Sequence, residues 1–444
     1  MISTQSDRML PQRLDKVCAI AGALVPVGLV MGNVAFESMI GLVGCGWLLR
    51  CIIQKERPFA LFKHSLVLPW LAWLVAIAVS LFWNGAGSKG WVHDLVFFRY
   101  MLYVVALLDV SKRLPVERYL LLGFAAGVLW AAINTASAYT MGFDLLGKPL
   151  IRYTGKLKEA SRISGMSAYA GPFFIAWGLL DTMISKKLRV VLCTIGLLSM
   201  VQLFQTHVRT AILAAVIGVV FCSLFFLKKH VSLKAAVALS LALIFSVFVS
   251  FHVQKQFRLD TLYDRVFFWK VAFTIWQSQP VLGVGISSFQ DAYKEVANSE
   301  EMTGFKAPDG TIYRAREQTH AHNLFLMLMA CTGLLGLAAF LWLFINAVVF
   351  IFRDLRGYRL GLAVWPVVFL AIGLTGFNIY HSWYQALLAF FIVLIGICAP
   401  EGREFQHPFR FSQPLNLILV FPSLCWVLTI TLFQFRLIEQ AVFS

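Results

Sequence analysis

His322-Asn323 stands at the head of a long apolar run, with nine intervening residues before Gly333-Leu334-Leu335-Gly336. An imidazole in that place meets both water and membrane-dissolved molecules. It titrates near neutral pH, so it suits removal of a proton from a poorly nucleophilic hydroxyl. Upstream, Arg209 lies in Thr206-His207-Val208-Arg209-Thr210, wedged between two apolar runs. Arg265 lies in Tyr263-Asp264-Arg265-Val266-Phe267-Phe268-Trp269, an aromatic-rich stretch suited to an interfacial helix. Arg162, in Ser161-Arg162-Ile163-Ser164-Gly165, precedes a further apolar run. Guanidinium groups present a fork of donors that matches phosphate oxygens. Nearby arginines also disfavour imidazolium and keep a histidine ready to accept a proton. The combination points to a hydroxyl activated by His322 and a departing phosphate met by arginine.

Each of these residues also has a structural reading. Arginines at a membrane surface meet lipid head groups or local acids, and Asp260, Asp264, Glu295, Glu300, Glu301, Asp309 and Glu317 are available. Asn323 either orients the histidine or caps a helix. Gly333 and Gly336 are spaced to share a helix face and permit close packing. Asp94 and Arg99, after His93 early in one apolar run, are expected to satisfy each other. Glu37, near the outer end of its run, is an alternative base without a surrounding motif. Tyr380-His381-Ser382-Trp383 reads as an interfacial aromatic turn, with stacking against an acceptor sugar as the alternative. Gly283-x-Gly285 reads as a turn that brings backbone close to something, or as a bend. The polar stretch Ser299–Thr319, with Pro308-Asp309-Gly310, reads as a lid.

The elements that position these residues are membrane helices. The 444-residue chain is 59% hydrophobic and 14% charged, against about 45–50% and 25% in soluble domains. Apolar runs of bilayer-spanning length recur throughout and predict an all-α polytopic protein of about 12 spans. They lie near Val17–Met31, Val34–Ile53, Ser65–Trp83, Val92–Val110, Glu117–Met141, Met166–Ile184, Leu188–Gln205, Thr210–Leu227, Leu233–Val253, Asn323–Phe352, Leu360–Phe377 and Trp383–Ala399, with Leu415–Phe433 as a candidate thirteenth. The first run follows Arg8, Arg13 and Lys16, and reads as a span rather than a signal peptide because more spans follow at once. The expected organisation is an N-terminal bundle over 1–253, a large outer loop with short helices over 254–321, and a C-terminal bundle over 322–444.

Short loops such as Lys55/Arg57/Lys63 and Lys186/Lys187/Arg189 put the N-terminus inside. The alternate loops then face outward, yet they are rich in Lys and Arg: Lys148, Arg152, Lys156, Lys158 and Arg162 in one, and Arg258, Arg265, Lys270, Lys294, Lys306, Arg314 and Arg316 in the large one. Charge kept on the disfavoured side suggests an anionic ligand there. The net charge of +16 is mainly inner-loop lysine and arginine facing anionic lipid, with no free-standing basic domain for nucleic acid. The eight cysteines are scattered without metal or disulfide spacing. No internal repeat supports an inverted-repeat transporter. No DxD motif is present, and His320 with His322 is thin support for a metal.

At these residues the chain resembles the bacterial O-antigen ligases, within the group that includes O-antigen polymerases and some protein O-oligosaccharyltransferases. The match is His322-Asn323, nine residues, then Gly333-x-x-Gly336, with Arg209-Thr210 and Arg265…Trp269…Pro280…Gly283-Val284-Gly285. The doublet His320-Ala321-His322 departs from the pattern, and only His322 fits the register. The resemblance implies a fold similar to the all-helical membrane glycosyltransferases, an active site at the periplasmic face of the bacterial inner membrane, and no cofactor. It implies transfer of a glycan from undecaprenyl pyrophosphate to a sugar hydroxyl of lipid A–core, completing lipopolysaccharide. His322 would be the base, and Arg209, Arg265 and Arg162 would bind the pyrophosphate. Direct displacement would invert the anomeric centre without a metal. The alternatives are an O-antigen polymerase, a protein O-oligosaccharyltransferase (disfavoured by the short tail) and a lipid or polysaccharide transporter.

Overall fold

The computed structural model describes residues 5–56, 64–85, 87–147, 160–206, 208–226, 260–303, 320–376 and 379–397. Among these the fold is all-helical. The N-terminal part comprises α1 Gln5–Met31, α2 Asn33–Gln54, α3 Val67–Trp83, α4 Ser88–Leu95, α5 Phe98–Val110, α6 Val116–Met141, α7 Ala160–Leu180, α8 Lys186–Gln205 and α9 Arg209–Phe226. Then come α10 Asp260–Ser278, α11 Phe289–Ala297 and α12 Glu300–Thr303. The last group is α13 Leu324–Arg353, α14 Arg359–Leu362, α15 Trp365–Thr375 and α16 Ser382–Gly396.

Six of the described helices are long and apolar enough to cross a membrane, and shorter apolar helices include Val67–Trp83, Arg209–Ser223, Arg359–Leu374 and Ser382–Gly396. The chain is a polytopic membrane protein. The expected spans at Leu233–Val253 and Leu415–Phe433 lie outside the described residues, as do His207, Arg258, Lys148–Lys158 and most of the Ser299–Thr319 stretch.

Two expected spans are divided. Val92–Val110 is α4 and α5, joined where Phe97 N–H donates to Asp94 O and Tyr100 N–H to Phe97 O. These bonds tighten the chain into a turn of 3₁₀ type. Leu360–Phe377 is α14 and α15, where Pro366 in the first turn of α15 lacks the N–H a continuous helix would need.

The helices pack through small residues and rings. A Cβ on Gly123 would fall 2.5 Å from the Ala23 carbonyl carbon, and one on Gly127 would fall 2.8 Å from Pro26 Cβ. Glycine therefore lets α6 lie against α1 with backbones almost touching. Phe124 on α6 meets Phe173, Phe174, Phe390 and Phe391 at 5.2–5.6 Å between centroids, tying α7 and α16 into the same core.

One end of the bundle closes around ion pairs. Arg50 Nε lies 3.1 Å from Asp15, and Arg50 Nη1 lies 2.6 Å from Glu56 and 3.6 Å from Asp109. Arg113 reaches Asp15 at 2.8 Å and Asp109 at 2.9 Å, and Trp47 Nε1 donates to Asp109 at 3.0 Å. The arrangement joins the start of α1 to the ends of α2 and α5. At the other ends of α2 and α5, Arg99 pairs with Glu37 through two bonds of 2.6 Å and with Tyr100 Oη at 2.8 Å, while its Nη1 donates to Val96 O at 2.7 Å. With all three guanidinium nitrogens engaged there, the expected Asp94–Arg99 pairing gives way. Asp94 is fully buried and accepts from Ser287 N at 3.3 Å.

Candidate active site

The site lies beyond Phe97, where the ends of several helices meet. Asn323 has extended backbone, and its Oδ1 accepts from Phe325 N at 3.0 Å and Leu326 N at 3.2 Å. It caps α13, which would otherwise begin with unsatisfied N–H groups. Immediately before it, His322 has φ +53°, a left-handed conformation unusual for a residue with a Cβ. Such a residue stores on the order of 1–3 kcal/mol of strain, held by its surroundings.

Those surroundings fix the imidazole. His322 Nδ1 lies 3.2 Å from the Gly376 carbonyl oxygen at the end of α15. The ring stacks on Phe268 of α10, with centroids 5.8 Å apart and planes at 24°. His320 lies 4.1 Å away, and His381, before α16, lies 5.3 Å from His320. Burial, then the Arg265 charge, pushes the His322 imidazole down to about 4; the Gly376 bond and Asp264 oppose this. Burial and the neighbouring imidazoles push His320 down to about 3, and burial lowers His381. The three rings therefore stand neutral at physiological pH.

The arginines come from separate elements. Arg265 is in the second turn of α10, half-buried, and Arg209 opens α9. Burial and the Arg209 charge both lower the pKa of Arg265, so two guanidinium groups share one electrostatic field beside His322. Arg162 is half-buried in the first turn of α7. The contacts just described tie Arg209, Arg265, His320, His322 and His381 together but do not reach Arg162.

The glycine motif works differently from the expectation of a shared helix face. Gly333 has φ +61° and ψ −163°, and interrupts α13. The segment after α10 fills the break. Val284 N donates to Ala330 O at 2.8 Å and Gly285 N to Cys331 O at 2.9 Å; in return Leu334 N donates to Pro280 O at 2.9 Å and Leu335 N to Val281 O at 3.2 Å. A Cβ on Gly333 would collide with Val281 O, and one on Gly283 (φ +67°) would lie 2.5 Å from the Cys331 carbonyl carbon. Only glycine admits this approach. From α3, Asn84 Nδ2 donates to Gly283 O at 2.9 Å and Ser80 Oγ to Cys331 O at 3.1 Å. The segment after the helix carrying Arg265 is thus latched to α13, the helix that His322 precedes.

Other candidates fall away from this geometry. Glu37 holds Arg99 at the bundle's edge. Tyr380 and Trp383 are 6% and 8% exposed, too enclosed to stack on a sugar. Tyr380 instead packs against Trp73 and Phe97. Sequence reading gave no role of their own to His381, named only within the Tyr380–Trp383 turn, to Phe268, named only within the aromatic stretch, or to the Gly376 carbonyl. A histidine in an outward-assigned turn beside a span was the available signal for His381; a carbonyl leaves none.

Chemically, the cluster can accept a proton at an imidazole and hold an anion between arginines. Among the described residues no three His, Cys, Asp or Glu side chains are grouped to hold a metal ion. No curated protein matches the chain. A family model described as O-antigen ligase matches residues 194–341, which include Arg209, Arg265, His320, His322, Gly333 and Gly336 and end before Gly376 and His381. That match, over about a third of the chain's length, supports a place in the O-antigen ligase family.

Proposed function

We propose that this protein is an O-antigen ligase that transfers glycan from undecaprenyl pyrophosphate to a sugar hydroxyl of lipid A–core at the periplasmic face of the bacterial inner membrane. The observation that carries this reading is the neutral His322 imidazole held on Gly376 O within the field of Arg265, which in turn feels Arg209. The acceptor O–H proton passes to His322 as the acceptor oxygen bonds to the anomeric carbon. The bond from that carbon to the pyrophosphate breaks, and its electron pair leaves on the phosphate oxygen. Arg209 and Arg265, with Arg162 at a further point along the donor, stabilise that charge. Pyrophosphate is already a weak base, so neither a general acid nor a metal is required. A single displacement inverts the anomeric configuration. Outward placement of the site rests on the basic inner loops, and the full complement of about 12 spans rests on the apolar runs outside the described residues.

The deciding experiment supplies purified protein with undecaprenyl-pyrophosphate-linked glycan and lipid A–core, in chelator and without nucleotide. Glycan should move onto lipid A–core with native protein and not with His322→Ala. Lengthening of the donor instead would make the protein a polymerase. No turnover at all would sink the enzyme reading.

A further inference from the structure

We infer that the Gly376 carbonyl is the positioning group of the transfer, holding His322 as its Nδ1–H tautomer so that Nε2 carries the basic lone pair, and that Thr210 fixes this carbonyl in place. The inference rests on the reading of His322 as the base.

A carbonyl oxygen only accepts, so at 3.2 Å it is Nδ1 that donates. A neutral imidazole has one N–H, which leaves the lone pair on Nε2. The opposite tautomer would set two lone pairs against each other in a half-buried place. Gly376 itself has no room to move. Its N–H donates to Ile372 O at 2.8 Å, in the last turns of α15. A Cβ there would lie 2.9 Å from Thr210 Oγ1, 3.2 Å from Thr210 Cβ and 3.3 Å from Ile372 O. Thr210 follows Arg209 in the first turn of α9. The turn that carries Arg209 therefore also packs against the residue whose carbonyl orients the base, and leaves no room for a side chain there. The charged and titratable groups around His322 are Arg265 and Asp264 from α10, His320 from its own segment and His381 ahead of α16, with Arg209 beside Arg265. During transfer Nε2 takes the acceptor proton while Nδ1–H stays on Gly376 O, so the ring does not turn.

The test uses the full chain in lipid nanodiscs. Gly376→Ala should lower kcat on the order of 10- to 100-fold, as losing the partner of a working histidine does, with donor KM little changed. It should also shift the acidic limb of the rate profile downward, because the lost bond favoured the protonated ring. Gly376→Ala combined with Thr210→Ala removes the hydroxyl nearest the new methyl and should recover most of the rate. Nitrogen-15 NMR of histidine-labelled protein, assigned with His322→Asn, should show His322 protonated at Nδ1 in the native chain. This last reading stands even if Gly376→Ala does not fold. An Nε2–H tautomer in the native chain, or native turnover in Gly376→Ala, overturns the inference. If His322→Ala is inactive and Gly376→Ala is native, the base survives and the positioning role alone falls; if His322→Ala is active, the base reading falls.

Discussion

The two ends of the helical bundle carry polar clusters built on opposite principles. At one end Asp15, Arg50, Glu56, Asp109 and Arg113 meet as alternating charges at 2.6–3.6 Å. There each guanidinium faces carboxylates: burial, the largest single effect, lowers the pKa of Arg113, but the bonds and charges of Asp15 and Asp109 together raise it. At the other end Arg209 and Arg265 lie in one field with the neutral imidazoles of His320, His322 and His381, and with Asp264 nearby. Burial comes first, and like charges then push Arg265, His320 and His322 downward. The first cluster completes itself within the fold. The second sets two guanidinium groups beside neutral imidazoles, the arrangement that the proposed pyrophosphate site calls for.

The sharpest separation comes from removing one residue at each end. His322→Ala should cut glycan transfer about 10²- to 10⁴-fold while leaving the unfolding midpoint near native; transfer assays beside thermal unfolding would show it. Arg50→Leu should do the reverse, because it leaves buried carboxylates short of a partner. The expected loss is about 3–5 kcal/mol of stability, seen as a lower midpoint with unchanged turnover per folded molecule. Comparable activity loss in both would erase the distinction.

A smaller effect probes the guanidinium geometry. Arg265→Lys keeps the charge and loses the fork, so transfer should fall roughly 5- to 30-fold, about 1–2 kcal/mol in the barrier. Full activity would remove Arg265 from pyrophosphate binding.

The smallest effect is in pH. The neutral form of His322 is the active one, so activity is present above its pKa and lost below it. The limb in kcat/KM, which reports the free enzyme, should lie far below the ordinary histidine range, toward 4. The limb in kcat should lie higher, because bound pyrophosphate offsets the field of Arg265. Arg265→Gln should raise the kcat/KM limb by removing that field, while burial keeps it below 6.5. A native limb at 6.5 that ignores Arg265 would mean that the two groups do not share a site.

Apolar length made the helices legible in the sequence, and His322, Arg209 and Arg265 stood out because polar groups at span ends are few. The divisions of those helices were less visible. Val96-Phe97 and the Leu334-Leu335 flank of Gly333 are as greasy as any span, so hydropathy runs straight through both the tightened turn and the break. Gly333 and Gly336 were legible as a spacing but not as a backbone reversal, since φ +61° depends on a partner segment about 50 residues upstream. Asp94 and Arg99 lie five positions apart in sequence and found other partners in space. Gly376 acts through its carbonyl, which every residue has, so its identity carries no hint of the role.

The break in α13 also bears on how the chain is assembled. A lone helix crossing lipid cannot leave Ala330 O, Cys331 O, Leu334 N–H and Leu335 N–H unbonded, since each such group costs several kcal/mol in hydrocarbon. During insertion, residues 324–353 are therefore best satisfied as one unbroken rod. The rod opens at Gly333 once Pro280–Gly285 arrives to exchange four hydrogen bonds with it. The segment from Arg265 to Gly285 is made before α13, but on those energies its docking follows insertion of the rod, so the proposed site would be completed only after the surrounding helices are in the membrane. On the proposed reading, activity appears only once the fold has closed around that break.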